Sequence, residues 1–560
     1  MNLPNWQEYW AQRRDPFAEE CRQSRSDLLD DLENPSEVQD RVLSDIVDVS
    51  TNSLYWKEQS YAVPTGDKDV FRAVLPIMRY DDFAPMIERE TRSKGGVLTC
   101  SPVLRWLKTS GTTGAPKLVP YTLHWLLTYR IPAMKAMWGT YIALHPELLD
   151  DPFATLDTQT IREDVSDFVH GVEHQAISNR HPQINSLDWD PPWYQAPWFG
   201  PDVPSTHEGR MYYRLRCLLG KDLRFISSIN PSTLISLRDQ IAVYGTRLVQ
   251  DLRDGTLDGA SWGKPDGEAA AQLESVLKRT DFTLKDVWPS LTLYSCWLSA
   301  SASLYQSKLD AIFPGVEKLP FMSCGTEGVT TLPIDGTLHS QPLAINQAFF
   351  EFVPAAVPLG EIVEKGDAVE TLLFDEVEAG EDYHLIMSQG NGLFRLWTGD
   401  IYRVDHIVNT VPWIHFVRRD GVFHSFTGEK LTESQVTQAI MQGSERLNLD
   451  IGLYMCGPQW GDPPNYLALV ETRDGSEELD RELSARIDQE LKTINIEYAS
   501  KRESGRLDPI GVATVPYNAV SSYFESKRGH GNAAQYKYKP FQQTIDFVSD
   551  IVGNGSEGTA

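Results

Sequence analysis

Two kinds of apolar spacing follow one another along the chain, and their order limits the folds that it can form. In residues 17–50, Leu, Val and Ile recur at helical intervals, with a break near Asn34 and Pro35. Short apolar runs at 290–298 and 318–325 predict buried strands instead. Further helical patterns lie at 126–145, 210–219, 232–255 and 269–277.

The region from 370 to 419 has a different period. Apolar and polar residues alternate there, and this alternation is typical of half-buried antiparallel strands. The segments with this pattern are 370–377, 383–389, 393–408 and 413–419.

A smaller helix-and-strand unit follows the charged turn Arg418–Gly421. Helical patterns at 433–447 and 477–494 flank a strand pattern at 466–472. Because a chain of 560 residues is too long for one ordinary core, two or more domains are expected. The boundaries predicted are a first domain over 1–420, a second over 421–547, and a disordered tail over 548–560.

The charge of the chain excludes one class of partner. The formal net charge is −27, whereas a nucleic-acid binder would be expected to show a basic face. No apolar stretch reaches the length of a membrane span, and the start lacks the pattern of a secretory signal. The six cysteines stand singly, which suits a reducing cytoplasm.

A loop rich in glycine and hydroxyl residues predicts an anion site. The stretch Lys108–Thr122 reads KTSGTTGAPKLVPYT, with two glycines and one lysine in its centre. It is no Walker loop, because the glycine spacing differs and Lys117 precedes Leu118 rather than a hydroxyl residue. Small residues still let backbone N–H groups converge on phosphate oxygens. The alternative is an ordinary polar turn.

Three later stretches support phosphate chemistry. Ser323–Gly328 follows an apolar strand and contains Glu327, a carboxylate that could reach a phosphate-bound magnesium ion. Asp400 lies behind a glycine at a strand end, where a carboxylate can accept both hydrogens of a ribose diol; the alternative is a turn aspartate. Ala533–Pro540 carries two lysines, which could also be a solvated basic turn.

Two other features admit functional interpretations. His170–His174 fits the HxxEH pattern, in which two histidines on one helix face bind zinc for hydrolysis, although Gly171 weakens a helix there. The loop 188–204 contains three tryptophans and five prolines. It is either a wall of an apolar acyl pocket or a surface loop pinned by its aromatic residues. A non-catalytic binding module is a further alternative for the whole chain.

The order SGTTGxPK, GTE, GD and a late lysine resembles the adenylate-forming superfamily. It is more similar to one branch, the auxin-responsive acyl-acid amido synthetases, which are the Gretchen Hagen family of plants and its microbial relatives. We therefore identify the chain as a member of this family, on its microbial side. Further stretches similar to the family are 71–89, 211–257, 296–328, 416–436 and 535–537.

The resemblance implies an α/β fold. It consists of a large N-terminal adenylate-forming domain, with mixed sheets, helices and late antiparallel strands, and a smaller mobile C-terminal α+β domain. It also implies a reaction in which ATP and Mg²⁺ activate a carboxylic acid as an acyl-adenylate, and an amine or amino acid then takes the acyl group. The alternative within this chemistry is a ligase that forms acyl-coenzyme A. We expect a cytoplasmic monomer that acts on small molecules.

The resemblance also assigns roles to residues. Lys537, Glu327 and Thr112 would act in catalysis, with Glu327 also beside magnesium, and Arg419 falls at the hinge. The nucleotide would contact Thr109, Ser110, Gly111, Thr112, Thr113, Lys117, Gly325, Thr326, Asp400 and Arg419.

Two departures from the family leave questions open. Relatives usually have a tyrosine four residues before the Glu327 equivalent, stacked on adenine, whereas this chain has Ser323. The late lysine stands in QYKYKP, so Lys539 competes with Lys537 for its role.

Overall fold

We analysed the fold in a computed structural model of the chain. The structure describes residues 6–58, 66–93, 95–108, 118–158, 160–161, 168–169, 172–176, 179–180, 191–199, 203–204, 206–229, 231–299, 305–365, 368–420, 423–424, 426, 429, 431–461, 463–503, 507–526, 538–542 and 544–554.

The chain divides into two compact units. Unit 1 comprises Met1–Trp297 and Lys308–Phe416, and unit 2 comprises Leu298–Ser307 and Val417–Ala560. No described helix is both long and apolar enough to cross a membrane. All six cysteines have free thiols.

Helices make up much of the first 365 residues. The break expected near Asn34 is confirmed, because α1 ends at Glu33 and α2 begins with Pro35, where the missing amide hydrogen costs nothing. The helices are α1 (Trp6–Glu33), α2 (Pro35–Ser50), α3 (Leu54–Glu58), α4 (Lys68–Val74), α5 (Tyr80–Ser93), α6 (Leu123–Trp125), α7 (Ile131–Leu144), α8 (His207–Leu218), α9 (Pro231–Asp254), α10 (Gly267–Val276), α11 (Leu284–Val287), α12 (Gln306–Ile312) and α13 (Leu359–Lys365). A π-helical turn (Leu126–Arg130) joins α6 to α7, and 3₁₀ turns lie at Pro146–Leu149, Pro192–Gln195 and Pro197–Phe199.

The strands of this part are mostly short. They are β1 (Val103–Lys108), β2 (Leu118–Thr122), β3 (Thr155–Asp157), β4 (Thr160–Ile161), β5 (Phe168–Val169), β6 (Val172–Ala176), β7 (Asn179–Arg180), β8 (Phe225–Ser227), β9 (Thr256–Leu257), β10 (Ala260–Ser261), β11 (Leu293–Ser295), β12 (Glu317–Leu319), β13 (Ser323–Cys324), β14 (Val329–Thr331), β15 (Gln341–Pro342), β16 (Phe349–Pro354), β17 (Asp382–Ser388), β18 (Leu396–Val408) and β19 (Val411–Arg419).

Three larger sheets organise these strands. One is mixed, in the order β2-β1-β6-β5, and one is fully parallel, in the order β12-β11-β8-β3. Strands β3, β8 and β11 are short and buried at every position, as expected for strands covered on both faces, whereas β12 begins with the exposed Glu317. The third sheet has the order β15-β19-β18-β17-β16 and contains the antiparallel strands that the alternating pattern predicts.

Unit 2 has helices packed on a three-stranded sheet in the order β22-β23-β24. Its elements are β20 (Phe423–His424), β21 (Leu431–Thr432), α14 (Glu433–Arg446), β22 (Ile451–Gln459), β23 (Asn465–Thr472), α15 (Glu477–Ile494), α16 (Ile496–Glu503), β24 (Gly511–Pro516), α17 (Ala519–Ser526) and α18 (Asp546–Asn554). The predicted α/β class, with a large first part and a smaller second part, is confirmed.

Two local predictions are wrong. The segment 370–377 does not form a strand. Its one β-bridge joins Leu372 to Phe352, and the next residues, Leu373 and Phe374, bury their side chains although their backbones pair with no strand. The expected disordered tail begins too early, since Asp546–Asn554 is helix α18. Phe547 and Ile551, four residues apart, bury one face of this helix in the unit 2 core.

A buried ion pair ties the antiparallel sheet of unit 1 to the segment before α5. Arg395 holds Glu351 of β16 with both Nε and Nη2, at 3.0 and 2.8 Å. The two side chains are 4% and 0% exposed, so neither charge can be solvated if the other is removed. The same guanidinium donates to the carbonyls of Arg72 and Leu75. Arg395 has φ +45°, so the pair holds a backbone conformation that an arginine rarely adopts.

We therefore expect Glu351→Ala to lower the free energy of unfolding by about 3–5 kcal/mol, because Arg395 would remain buried and unpaired. Urea denaturation followed by fluorescence measures this change. The control is Asp382→Ala, which removes the partner of Arg403 on the same sheet at 2.7 Å, but in a pair that is 48% and 24% exposed. It should cost less than about 1 kcal/mol. If both substitutions lowered the free energy of unfolding equally, burial of the Arg395–Glu351 pair would not be the cause of its effect on stability.

Candidate functional site

A tight turn between β13 and β14 carries the GTE motif. The amide of Gly325 donates to the carbonyl of Gly328 at 2.9 Å, which closes the turn. A side chain at Gly325 would meet the Glu327 carboxylate, since a Cβ there would lie 2.6 Å from Oε2. A Cβ at Gly328 would collide with buried Gln389. A side chain at either glycine would therefore require the Glu327 carboxylate or the Gln389 amide to move.

The Glu327 carboxylate, half-buried in this turn, is available for a ligand. Among the described residues, none donates a hydrogen bond to it. Its charge acts on Tyr80 and on Tyr121 of β2; burial is the main cause that raises the pKa of each phenol, and Glu327 adds to the rise. Glu327 therefore lies near the strand that follows the loop 109–117.

Tyr80 fixes the first residue after that loop. Its hydroxyl donates to the carbonyl of Leu118 at 2.6 Å and accepts from the amide of Leu118 at 2.5 Å. The amide and the carbonyl of Leu118, at the start of β2, thus both form hydrogen bonds with the side chain of Tyr80, at the start of α5. The end of the loop is held in place by this contact.

The GD motif lies in β18. Gly399 has φ +76°, and the amide of Asp400 donates to the Thr398 hydroxyl at 3.1 Å. Two residues along the strand, the buried Tyr402 hydroxyl is 2.9 Å from that of Ser323. Burial raises the pKa of Tyr402, and the Asp400 carboxylate contributes to the rise. Ser323 thus links the GTE turn to the strand that carries Asp400.

Within unit 1, the turn that holds Gly325, Thr326 and Glu327 is joined to the strand of Asp400 by the Ser323–Tyr402 contact, and the Glu327 charge acts on Tyr80, which contacts the start of β2. The structure brings these predicted residues together. It also shows Ser323 as an anchor for Tyr402, rather than as a surface on which a ring could stack.

Arg130 lies beside the GTE turn and is a candidate site residue that the sequence interpretation missed. Its Nη2 points at the Cys324 sulfur, 4.0 Å away, directly before Gly325. Its Nη1 is buried and has no hydrogen-bond partner among the described residues. A guanidinium stays charged and can only donate hydrogen bonds. The buried Nη1 of Arg130, which has no acceptor among the described residues, is therefore suited to bind an anion. The signal in the sequence is a single arginine in a mostly apolar stretch, directly before α7.

Several predicted residues lie outside the described part of the chain. These are Lys537 and the loop residues Thr109, Ser110, Gly111, Thr112, Thr113 and Lys117. Arg419 ends β19, but the position of its side chain is not described. The half-buried Lys539 lies in unit 2, between Tyr538 and Pro540.

The zinc-hydrolase alternative is wrong in its structural requirement. His174 lies in strand β6, where it pairs with Trp106 of β1, so it is not on a helix. His170 lies outside the described residues. Two histidines four residues apart share a face on a helix, and β6 does not provide one.

The described part of the tryptophan-rich loop, residues 191–199, is held by aromatic packing. Trp193 contacts Phe17 of α1 and Trp138 of α7, with ring centroids 5.3 and 4.4 Å apart. Trp198 packs on Trp6 at 6.1 Å. Both indoles are fully buried, which favours the interpretation of a pinned loop over that of a pocket wall.

Comparison with known proteins gives three successive family matches. The GH3 family N-terminal domain matches residues 24–318, the GH3 family central domain matches 341–419, and the GH3 family C-terminal domain matches 434–544.

Curated relatives and solved structures agree with these matches. The chain is 22% identical to the Arabidopsis thaliana 4-substituted benzoates-glutamate ligase GH3.12, over 91% of this chain and 93% of the relative. It is 23% identical to the indole-3-acetic acid-amido synthetase GH3.6 of the same plant, over 76% and 74% of the two chains. The structure of the AtGH3.15 acyl acid amido synthetase superposes with a TM-score of 0.79 at 18% identity, covering 95% of both chains, and so shares the fold.

The resemblance inferred from the sequence motifs is thereby confirmed, since the first match alone spans more than half of the chain. The chain belongs to the GH3 family.

Proposed function

We propose that this protein is an ATP-dependent acyl-acid amido synthetase. The observation that carries the proposal is the 2.9 Å contact between the Ser323 and Tyr402 hydroxyls, which joins the GTE turn to the Asp400 strand in a GH3 family member. The names of its relatives describe a benzoate–glutamate ligase and indole-3-acetic acid-amido synthetases, and they support the same reaction class. The free cysteines fit a reducing cytoplasm as the place of the reaction.

The reaction has two steps. A carboxylate oxygen of the acid attacks the α-phosphorus of ATP, so that an acyl-adenylate forms and pyrophosphate leaves. An amine then attacks the activated carbonyl, and AMP leaves with the oxygen that joined the two groups. The residues of the chain position the reactants and stabilise the charge that develops on the phosphates.

The loop residues 109–117, with Thr112 and Lys117, hold the triphosphate in this proposal, and Gly325 and Thr326 lie beside it. Arg419, at the end of β19, is assigned to the nucleotide on the strength of the family resemblance. Glu327 fits a magnesium site, because its carboxylate accepts no hydrogen bond from a described residue and Mg²⁺ commonly takes one or two carboxylates, with phosphates and waters as its other ligands. When bound, Mg²⁺ neutralises phosphate charge.

Asp400 is assigned to the ribose diol. If its carboxylate accepts hydrogen bonds there, Asp400→Asn should weaken ATP binding by about tenfold to a hundredfold, since a hydrogen bond to a charged group contributes about 1.5–3 kcal/mol. Isothermal titration with ATP measures the effect. Asp382→Asn, on the neighbouring strand, is the control and should bind ATP normally. An unchanged affinity in Asp400→Asn would make Asp400 only a turn residue.

Arg130 is assigned to the carboxylate of the acid. Its open Nη1 is buried beside the turn that carries Glu327, where an unsolvated carboxylate would need a positive partner. This role separates Arg130 from the residues that bind the nucleotide.

We expect Arg130→Gln to raise the KM for the acid by about tenfold or more, through loss of a charge-assisted hydrogen bond, and to leave the KM for ATP nearly unchanged. Steady-state pyrophosphate release gives both constants. Lys135→Gln, on the following helix α7, is the control, because Lys135 is already paired with Glu20 at 3.2 Å. An equal rise in both KM values would assign Arg130 to the nucleotide.

The late lysine is assigned to Lys537 rather than Lys539. The chain beside Lys539 is anchored, because the Cys456 amide donates to the Pro540 carbonyl at 2.7 Å. The Tyr538 hydroxyl exchanges hydrogen bonds with both backbone groups of Tyr454. Lys539 is thus fixed on β22 of unit 2, whereas Lys537 precedes this anchor and keeps the family's QYK context.

Accordingly, Lys537→Ala should abolish acid-dependent pyrophosphate release, and Lys539→Ala should have a mild effect. Both variants should still convert a supplied acyl-adenylate to amide, because the lysine acts in the first step. The reverse order of effects would assign the role to Lys539.

The acceptor is an amine rather than coenzyme A. A net charge of −27 makes a polyanion such as coenzyme A a poor guest without a dedicated basic cluster, whereas the ammonium of an amino acid suits an acidic protein. The names of the relatives include a glutamate ligase, which supports an amino acid.

The proposal is tested by paired incubations of the enzyme with ATP, Mg²⁺ and an acid found by screening pyrophosphate release. One incubation contains a panel of amino acids and amines, and the other contains coenzyme A. Mass spectrometry should show amide and AMP in the first and little thioester in the second. Efficient thioester formation without any amide would establish the acyl-coenzyme A ligase instead.

A further inference from the structure

A group of metal-ligand side chains lies on the antiparallel sheet of unit 1. It comprises His339 before β15, Asp405 in β18 and His415 in β19. Among the residues that the structure describes, this is the one group of three such side chains whose ligand atoms lie close together. Asp400, assigned to the ribose, stands five residues earlier on β18, so the group is a different set of residues from the proposed ATP site.

The geometry of the group is close to that of a metal site. The Asp405 carboxylate faces both histidines, with Oδ2 at 2.7 Å from His415 Nδ1 and Oδ1 at 3.5 Å from His339 Nε2. The imidazole rings are 4.5 Å apart, and the three ligand atoms all lie within 4.8 Å of one another. Ligands on a tetrahedral zinc ion are about 3.4 Å apart, from bonds of about 2.1 Å. To reach that spacing, the hydrogen bond of 2.7 Å between Asp405 and His415 would open and the wider contacts would shorten.

We propose that His339, Asp405 and His415 bind one Zn²⁺ ion per chain, with water completing the coordination. Two imidazoles and one carboxylate favour Zn²⁺ over Mg²⁺, which prefers oxygen ligands. The side chain of His339 is 74% exposed and gives the ion a path from solvent, while Asp405 and His415 are 18% and 23% exposed and hold it. The positive charge of nearby Arg403, which would repel a cation, is paired with the Asp382 carboxylate at 2.7 Å.

Zinc at this place would cross-link three neighbouring parts of the sheet. The segment that carries His339 leads into β15, which pairs with β19, and β19 is the neighbour of β18. Zinc would thus join the neighbouring strands β18 and β19 and the segment that leads into β15. Because a bound ion stabilises the folded state by mass action, zinc should protect unit 1 against thermal unfolding.

The test is isothermal titration of ZnCl₂ into the full chain after dialysis against EDTA, without ATP. One equivalent should bind, and His339→Ala and His415→Ala should each lower the affinity by about tenfold or more, since loss of a metal-supporting residue typically costs about 10–100-fold. His406→Ala is the matched control. That histidine is exposed on the same strand as Asp405 and stacks on Trp413 at 5.0 Å, outside the group.

A second measurement separates binding from misfolding. Zinc at about one hundred times its Kd should raise the Tm of the natural protein by about 3 °C. Asp405→Asn should remove this rise while keeping the metal-free Tm close to that of the natural protein. Absence of zinc binding by the natural protein, or one-to-one binding that survives both histidine substitutions, would overturn the proposal.

Discussion

The geometry of the candidate site depends on the buried ion pair between Arg395 and Glu351. A charged pair with exposures of 4% and 0% holds only when both partners are present and fully hydrogen-bonded. Arg395 meets this condition with two bonds to Glu351, and the Thr371 hydroxyl adds another to the same carboxylate at 2.6 Å. The pair fixes the chain immediately before β18, so it sets where Asp400 lies along its strand.

The same pair acts on the other motifs through the backbone. The Met78 amide donates to the Arg395 carbonyl at 3.0 Å, and the Trp397 amide donates back to Met78 at 2.8 Å. Two residues after Met78, Tyr80 forms two hydrogen bonds with the backbone of Leu118, the first residue after the loop 109–117. One continuous set of contacts therefore runs from the strand of the proposed ribose-binding residue to the end of the proposed phosphate loop. Residues 71–89, which are similar to the family but have no assigned chemical role, thus include two members of this set, Met78 and Tyr80.

The sequence predicts those features that depend on neighbouring residues. The break between α1 and α2 follows from Pro35, and the alternation of 383–419 predicts antiparallel strands, although β17 is buried on both faces rather than half-buried. The order of the motifs predicted the family and identified Glu327 and Asp400 as candidate site residues. Features formed by distant residues could not be predicted: Tyr80 contacts Leu118 across 38 positions, and Arg395 reaches Glu351 across 44. Arg130 could not be assigned, because one arginine in an apolar helix shows neither its burial nor its open nitrogen.

The central claim is that the carboxylate of an acid attacks the α-phosphorus of ATP. The most direct test uses an accepted acid labelled with ¹⁸O in its carboxylate, together with ATP and an amine, and measures the mass of the nucleotide product. Attack at the α-phosphorus transfers one carboxylate oxygen to AMP, so the account predicts AMP that carries one ¹⁸O atom and pyrophosphate without label. Label in inorganic phosphate together with ADP, or AMP without label, would contradict it.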